Sequence, residues 1–411
     1  MEMIQWALFQ ITQKLINKSL ILMDDIKSQI DNLFNKTLEY RRHIHSNPEL
    51  SFYEFETAKY IRSKLDELQI KWKECSGTGT IALIGNGERC VALRADIDAL
   101  PIFEETDLSF KSKNDNVMHA CGHDMHTAML LTAAEILKQN EDSIKGKVKL
   151  IFQLGEEQLP GGASLMIKDG CLENPKVEAI FGQHIYPGEE VGTISLKEGP
   201  VMGSADEIYI TINGKSTHAA QPHLGADPIL AAAQLIVYYQ TLMTKFKDPT
   251  KAGVLTLASI NGGFATNVIP DKVEIKGTLR AFDNEWRKEI HNIMEEKTQL
   301  IAQSYNCEVD LEIRKGYPAV INDKTLHNHS LNTVNSIFEG KNILEFEPKM
   351  WGEDFAYYGR EIPAYFWFLG VRPKNLTSMP ALHNSKLNPD ENAMKYGIQM
   401  LVLSAINYLN N

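Results

Sequence analysis

The chain has 411 residues, 43% hydrophobic and 23% charged, a globular balance too long for one ordinary core and suited to two domains, one inserted in the other. Its 42 basic and 53 acidic side chains leave a formal charge of −11, which argues against nucleic acid or an anionic membrane surface as a partner. No apolar stretch approaches the ~20 residues that cross a bilayer, and five scattered cysteines without a CxxC pair fit a reducing, cytoplasmic setting better than a disulfide scaffold.

The opening "MEMIQWALFQITQKLINKSLILMDD" has its apolar residues interrupted by Gln, Lys and Asn and lacks a small-residue cleavage site, so it reads as an amphipathic first helix or an extension, not a signal peptide. Helix is expected from about Asp24 to Leu68, broken and restarted at "NPELSFYEFET". "TIALIG" and "CVALRAD" are short apolar runs typical of buried strands. "MHACGHDMHTAMLL", residues 118–131, then crowds three histidines, a cysteine and an aspartate in front of an apolar helical face, with Asp124 placed to cap that helix. "KVKLIFQL" ends in "GEE", and "VEAIFGQHI" ends in His184 at a turn before "YPGE". Alternation of this kind implies a largely parallel sheet with helices on its faces.

The texture changes near Ser204. "DEIYITINGKS", "GVLTLASINGG" and "DKVEIKGTLRAF" alternate apolar and polar residues, as antiparallel strands with one wet face do. Helical segments at roughly 225–246 and 284–304 complete a βαββαβ-like pattern. After "GYPAVIND" the first texture returns with "AYFWFLG" and a closing helix from about Pro389. The expectation is a discontinuous catalytic domain over 24–203 and 315–411, interrupted by a small α+β domain over 204–314.

In open α/β sheets ligands bind beyond the carboxyl ends of the strands. Asp96 and Asp98 follow one strand, Glu156 and Glu157 another and His184 a third, while Cys121 and His123 lie in a loop before a helix. All would meet at one rim. Alone, Cys121 reads as a small buried hydrophobe. Beside His123 and three strand ends it reads as a metal ligand. Neighbouring carboxylates at a strand end point in different directions, so one of Glu156 and Glu157 can bind metal while the other handles protons. His119 and His126 are left as capping, exposed or supporting residues, and spacing alone does not separate His383 from His327 or His329.

These stretches together resemble the M20 family of metallopeptidases, nearest its branch of amidohydrolases, aminoacylases, hippurate hydrolases and auxin-conjugate hydrolases. The resemblance rests on "RRHIHSNPELSFYE", "RADIDALP", "MHACGHDMHTAMLL", "FQLGEE", "FGQHIYP", "GKSTHAAQPHLGADP", "TNVIPD", "GTLRAF", "GEDFAYY" and "LHNSKL", in that order from about residue 40 to 390. It implies a mixed-sheet, three-layer zinc-peptidase-like catalytic domain with an inserted ferredoxin-like lid and dimerisation domain. It further implies two divalent ions on Cys121, His123, Glu157, His184 and His383, with Cys121 bridging where other branches use aspartate. Glu156 is then the general acid/base and Asp96 orients a ligand from behind. His218 of "THAAQP" reaches a neighbouring subunit's site to stabilise the oxyanion, and Asn267 and Arg280 bind a substrate carboxylate or carbonyl. A homodimer or homotetramer formed through the inserted domain is part of the same implication.

The expected reaction is hydrolysis of an N-acyl amino acid, with manganese or zinc as the metal. A thiolate ligand favours zinc, whereas this branch commonly uses either. A dipeptidase or N-acetyl-diaminopimelate deacetylase uses the same chemistry. From other classes, the chain could be a hydrolase with Cys121 as nucleophile or a catalytically silent binding protein. There is no GxSxG elbow, and "NGKST" lacks the first glycine of a phosphate loop.

Overall fold

In the computed structural model, residues 25–338 and 340–410 are described. The expectation for the first 23 residues lies outside them. The described residues divide into two compact units, one within 25–199, 322–346 and 358–410, the other within 200–321 and 347–357.

The first unit is built on an eight-stranded mixed sheet. Its order is Lys71–Cys75, Gly79–Gly85, Lys147–Gln153, Cys90–Asp96, Ala179–Glu190, Ala364–Arg372, Ile194–Leu196 and Ile343–Glu345. The four central strands run parallel. The flanking pairs 71–75 with 79–85, 79–85 with 147–153, and 364–372 with 194–196 are antiparallel. The Cys90–Asp96 strand is buried along its whole length, as a parallel strand covered on both faces must be. The helix His123–Gln139 is buried from His123 to Leu137, on every side and not only along the apolar face read from the sequence. The closing helix Ala393–Asn410 packs against it.

Two local expectations need correcting. The Ala179–Glu190 strand runs on past His184, so this histidine is buried inside a strand and not at a turn. Pro187 is tolerated there because the pairing with 364–372 slips between Gly370 and Arg372, and such an irregularity frees a residue that cannot donate to the ladder. Asp124 does not cap its helix. The first residue is His123, with Gly122 before it at φ +86 and no side-chain cap. The Asp124 carboxylate instead accepts from Arg41 Nε at 3.0 Å and His45 Nδ1 at 2.9 Å, tying residues 25–46, which are helical, to the first turn of that helix.

The second unit carries a four-stranded antiparallel sheet ordered Gly253–Gly262, Lys272–Ala281, Asp206–Asn213, Glu308–Lys315. With helices Pro228–Thr241 and Asn284–Ser304 this is the βαββαβ order 2-3-1-4. Side chains of Asp206–Asn213 alternate buried and less buried, as a sheet wet on one face requires. Asp227 and Asp283 cap the two helices. Asp206 is buried against Arg287, His291 and the Gly316 amide. Burial opposes its charge, but the hydrogen bonds from Arg287 and His291 hold its carboxyl below the usual range. Among the described residues no helix is long and apolar enough to cross a membrane.

Candidate metal centre

The site forms where the central parallel strands of the first unit end. Cys121 and His123 flank Gly122, whose φ of +86 turns both side chains off the start of one helix. A Cβ on Gly122 would stand 2.2 Å from Ile185 Cδ1, so glycine is what lets this turn lie against the His184 strand. Glu156 and Glu157 follow the Lys147–Gln153 strand, beyond Gly155 at φ +54. His383 arrives from a loop, itself left-handed at φ +62, with its amide bonded to Ala120 O at 2.8 Å.

Donors far apart in the chain converge here. Cys121 Sγ lies 3.4 Å from His184 Nε2. His184 Nδ1 donates to Ile185 O at 2.8 Å, which leaves the Nε2 lone pair turned to the thiol. His123 Nδ1 donates to Asp98 O at 2.9 Å and lies 3.2 Å from Asp98 Oδ1. His383 Nε2 is 3.1 Å from Glu157 Oε1. Two triads whose ligand atoms lie within 4.8 Å of one another, Cys121–His123–His184 and Cys121–Glu157–His383, share the Cys121 thiol. Glu156 joins His123 and Glu157 in a third.

The donor set fits metal on the structure's own terms. His123 Nε2 is buried without a hydrogen-bond partner, with Asp96 Oδ2 at 3.7 Å and Glu157 Oε1 at 3.9 Å. Glu157 Oε1 is likewise buried without a well-formed hydrogen bond. Buried polar atoms left unpaired in this way call for a ligand or an ion. Burial opposes a charge on His123, but the Asp96 carboxylate and the Asp98 hydrogen bond raise its pKa to about 10. Burial and the Glu157 and Glu156 carboxylates push the Cys121 thiol well above its usual range. A cation among these groups reverses both tendencies, because it stabilises thiolate and favours the neutral imidazole.

Behind the donors stands a layer that the sequence only hinted at. Asp98, read from the sequence merely as a strand-end carboxylate, orients His123, accepts the Glu157 amide at 2.9 Å and accepts Ser51 Oγ at 2.6 Å. Asp96 makes its hydrogen bonds to His126 Nδ1 and Arg94 Nη1, both at 2.6 Å, and not to a triad member. His126 Nε2 in turn accepts the Ile185 amide at 3.0 Å, so Asp96 acts on the residue next to His184 through an intermediary. With both ring nitrogens engaged, His126 has no lone pair for a metal. His327 and His329, which spacing could not separate from His383, bond Tyr365 Oη and Ser404 O.

The remaining candidates belong to the second unit. His218 and Val268 pair across the short ribbon of Thr217–His218 with Val268–Ile269, and the Ala219 amide donates to Asn267 O at 3.0 Å. His218 and Asn267 are therefore neighbours, and both are exposed. His218 Nδ1 accepts the Ala220 amide at 3.1 Å, which places the ring proton on Nε2. Arg280 stands on the Lys272–Ala281 strand opposite Val254, partly buried.

The model of Peptidase family M20/M25/M40 matches residues 92–407. The N-acetyl-L-cysteine deacetylase of Bacillus subtilis is 42% identical over 345 residues, 83% of this chain and 82% of its own length. The IAA-amino acid hydrolase ILR1-like 4 of Arabidopsis thaliana is 37% identical over 428 residues, spanning 100% of this chain and 96% of its own. Among solved structures, the Bacillus subtilis YXEP protein, a dinuclear metal-binding peptidase from the M20 family, superposes with a TM-score of 0.80 at 36% identity, covering 92% of this chain and 99% of that one. Whole-length similarity in sequence and in fold thus joins the site's donor set, and the chain belongs to Peptidase family M20/M25/M40, as an enzyme of its metallo-amidohydrolase branch.

Proposed function

We propose that this enzyme hydrolyses the amide bond of N-acyl amino acids with two divalent ions held by Cys121, His123, Glu157, His184 and His383. The observation that carries the proposal is the Cys121 thiol common to both ligand triads, so that one sulfur would serve both ligand sets. Bound there, the ions supply Lewis acidity and lower the pKa of water from ~15.7 toward ~7. Glu156 is buried beside the His123 and Glu157 donors, where a carboxylate is placed to take a proton from the attacking water and pass it to the departing amine nitrogen. Asp98 keeps His123 in one tautomer and fixes the Glu157 amide, and so sets the direction from which both side chains enter. The sulfur ligand favours zinc, while the hard carboxylate leaves manganese open.

His218 is assigned to the oxyanion. It is exposed on its ribbon with Nδ1 taken by the Ala220 amide, and its Nε2–H would serve the site of a second copy. Asn267 and Arg280 are assigned to the substrate's carboxylate or carbonyl, the guanidinium suiting a carboxylate by its fork. A homodimer or homotetramer through the second unit is supported by its sheet. Gly253–Gly262 is an edge strand, and Ile229, Val237, Val254, Ile260 and Phe264 are exposed in and around it, an apolar edge of the kind that invites pairing. Light scattering is expected to give a mass of at least two chains, and a monomer at assay concentrations would exclude this part of the reading. Five buried cysteines, all free, support a cytoplasmic enzyme.

The test is chelation followed by reloading. Enzyme stripped by a chelator should lose activity and regain it with Mn²⁺ or Zn²⁺, against a panel of N-acetyl, N-benzoyl and indole-acyl amino acids and dipeptides. Preference for dipeptides would move the assignment to a dipeptidase. Activity indifferent to chelation but abolished by thiol alkylation would replace it with a Cys121 nucleophile.

A further inference from the structure

The stretch "NPELSFYEFET" has no part in the chemistry above, yet it is built into the floor of the site. It leaves the helical run 25–46 and enters the helix Phe55–Glu67. Both ends are pinned. The Glu49 carboxylate accepts the Thr57 amide and hydroxyl at 2.8 Å each, capping the second helix. The Glu49 carbonyl accepts the Ala99 amide at 2.8 Å, one residue beyond Asp98. Between these anchors Phe52 is held at φ +69, a left-handed backbone that a bulky residue adopts only where its surroundings enforce it.

Phe52 and Glu54 meet the Gly155 turn directly, Ser51 reaches Glu157 through Asp98, and Tyr53 is exposed. Ser51 Oγ donates to Asp98 Oδ2, the same oxygen that receives the Glu157 amide. The Phe52 ring covers Gly155 so closely that a Cβ there would fall 2.3 Å from Phe52 Cε1. Glu54 is fully buried. Its Oε1 accepts the Gly155 amide at 2.8 Å and the Phe52 amide at 2.9 Å, and its Oε2 accepts Thr78 Oγ1 at 2.6 Å. A charged acceptor with three donors in a buried setting is a strong anchor. It grips the residue immediately before Glu156.

We propose that residues 49–54 form a strap whose Glu54 carboxylate and Phe52 ring fix the Gly155 turn, making Glu54 a positioning residue for proton transfer by Glu156. The inference rests on the acid/base role given to Glu156 above. It also separates two duties at one turn. Glu157 is held by Asp98 at its own amide, whereas Glu156 takes its position from Gly155 and hence from Glu54. Loss of Glu54 should therefore disturb proton transfer more than ion binding.

The experiment compares metal-loaded full-length Glu54→Ala, Glu54→Gln and Glu156→Gln on the panel's best substrate, with bound metal and circular dichroism measured alongside. Glu54→Ala is expected to keep two ions and a KM near the parent's while kcat falls about 10²-fold, the scale of a misplaced catalytic group. Glu54→Gln retains an oxygen for both backbone N–H groups and should stay within about threefold of the parent, a difference too small to signal a lost transition-state contact. If Glu54→Ala does not fold, Phe52→Ala takes its place, removing the ring from Gly155 and leaving the carboxylate, with kcat expected to fall about tenfold at constant KM. A folded Glu54→Ala enzyme with parental kcat, or one that loses metal in step with activity, overturns the strap's role while an inactive Glu156→Gln leaves the proposed function standing. A fully active Glu156→Gln enzyme removes the acid/base role given to Glu156 and this inference together, while chelation and reloading test the rest of the proposed function.

Discussion

Glu156→Gln is expected to keep both ions bound and to lower kcat by about 10²–10⁴-fold, the usual contribution of a general acid/base. The substitution preserves shape and hydrogen-bonding reach but cannot take up a proton. The counterpart Glu157→Gln should behave differently, because Glu157 stands in a donor triad with Cys121 and His383; there metal content falls first and activity follows. Kinetics beside elemental analysis of the two variants separates the roles. A Glu156→Gln enzyme of parental activity would show that the proton is carried elsewhere, and equal metal loss in both would show that the two carboxylates share one duty.

Gly122→Ala is the second large effect, and it acts on stability and site together. Two costs coincide at this position. The residue sits at φ +86, where an L side chain is strained, and its new Cβ would meet Ile185 Cδ1 at 2.2 Å and Cγ1 at 2.6 Å. Ile185 is buried between the sheet and the His123–Gln139 helix and has little room to retreat. The sum of backbone strain and overpacking is roughly 2–4 kcal/mol, read as a drop in urea midpoint. Because Cys121 and His123 flank the glycine, the variant should also bind fewer than two ions. Gly77→Ala supplies the control. It has a similar φ of +88 but nothing within 4 Å of the added carbon, so about 1 kcal/mol of strain and no change in metal content are expected. Equal losses in both variants would mean that contact with Ile185 contributes nothing.

Much of the fold was legible because its signals are local. Short apolar runs marked the strands of the parallel core, and strict alternation marked the antiparallel sheet from Asp206 onward, since a strand covered on both faces and one covered on a single face need different residues. The convergence of Glu156 and Glu157 with Cys121 and His123 followed from a strand end and the loop before a helix, and His184 joined them although its strand runs on to Glu190. Three features did not show, and a fourth showed only in part. The extent of the His184 strand was hidden by Pro187, which only a slipped register makes tolerable. Asp124 carried the signature of a cap, yet its partners, Arg41 and His45, lie about 80 residues upstream and answer to tertiary charge pairing, not helix propensity. His383 depends on a left-handed loop tied to Ala120 O, and no periodicity distinguishes such a histidine from His327 or His329. Asp98 was visible only as one more carboxylate, because its importance lies in three simultaneous hydrogen bonds made to residues spread from 51 to 157.

The two donor triads differ in when the ribosome can supply them. Cys121, His123 and His184 have all been polymerised before the second unit begins at residue 200, whereas the set containing His383 awaits a residue that follows the whole of that unit. A nascent or truncated polypeptide ending anywhere between those points carries half a centre, however well its early strands have paired. On the proposed two-ion reading, translation to the far side of the second unit is thus a geometric precondition for seating the second cation.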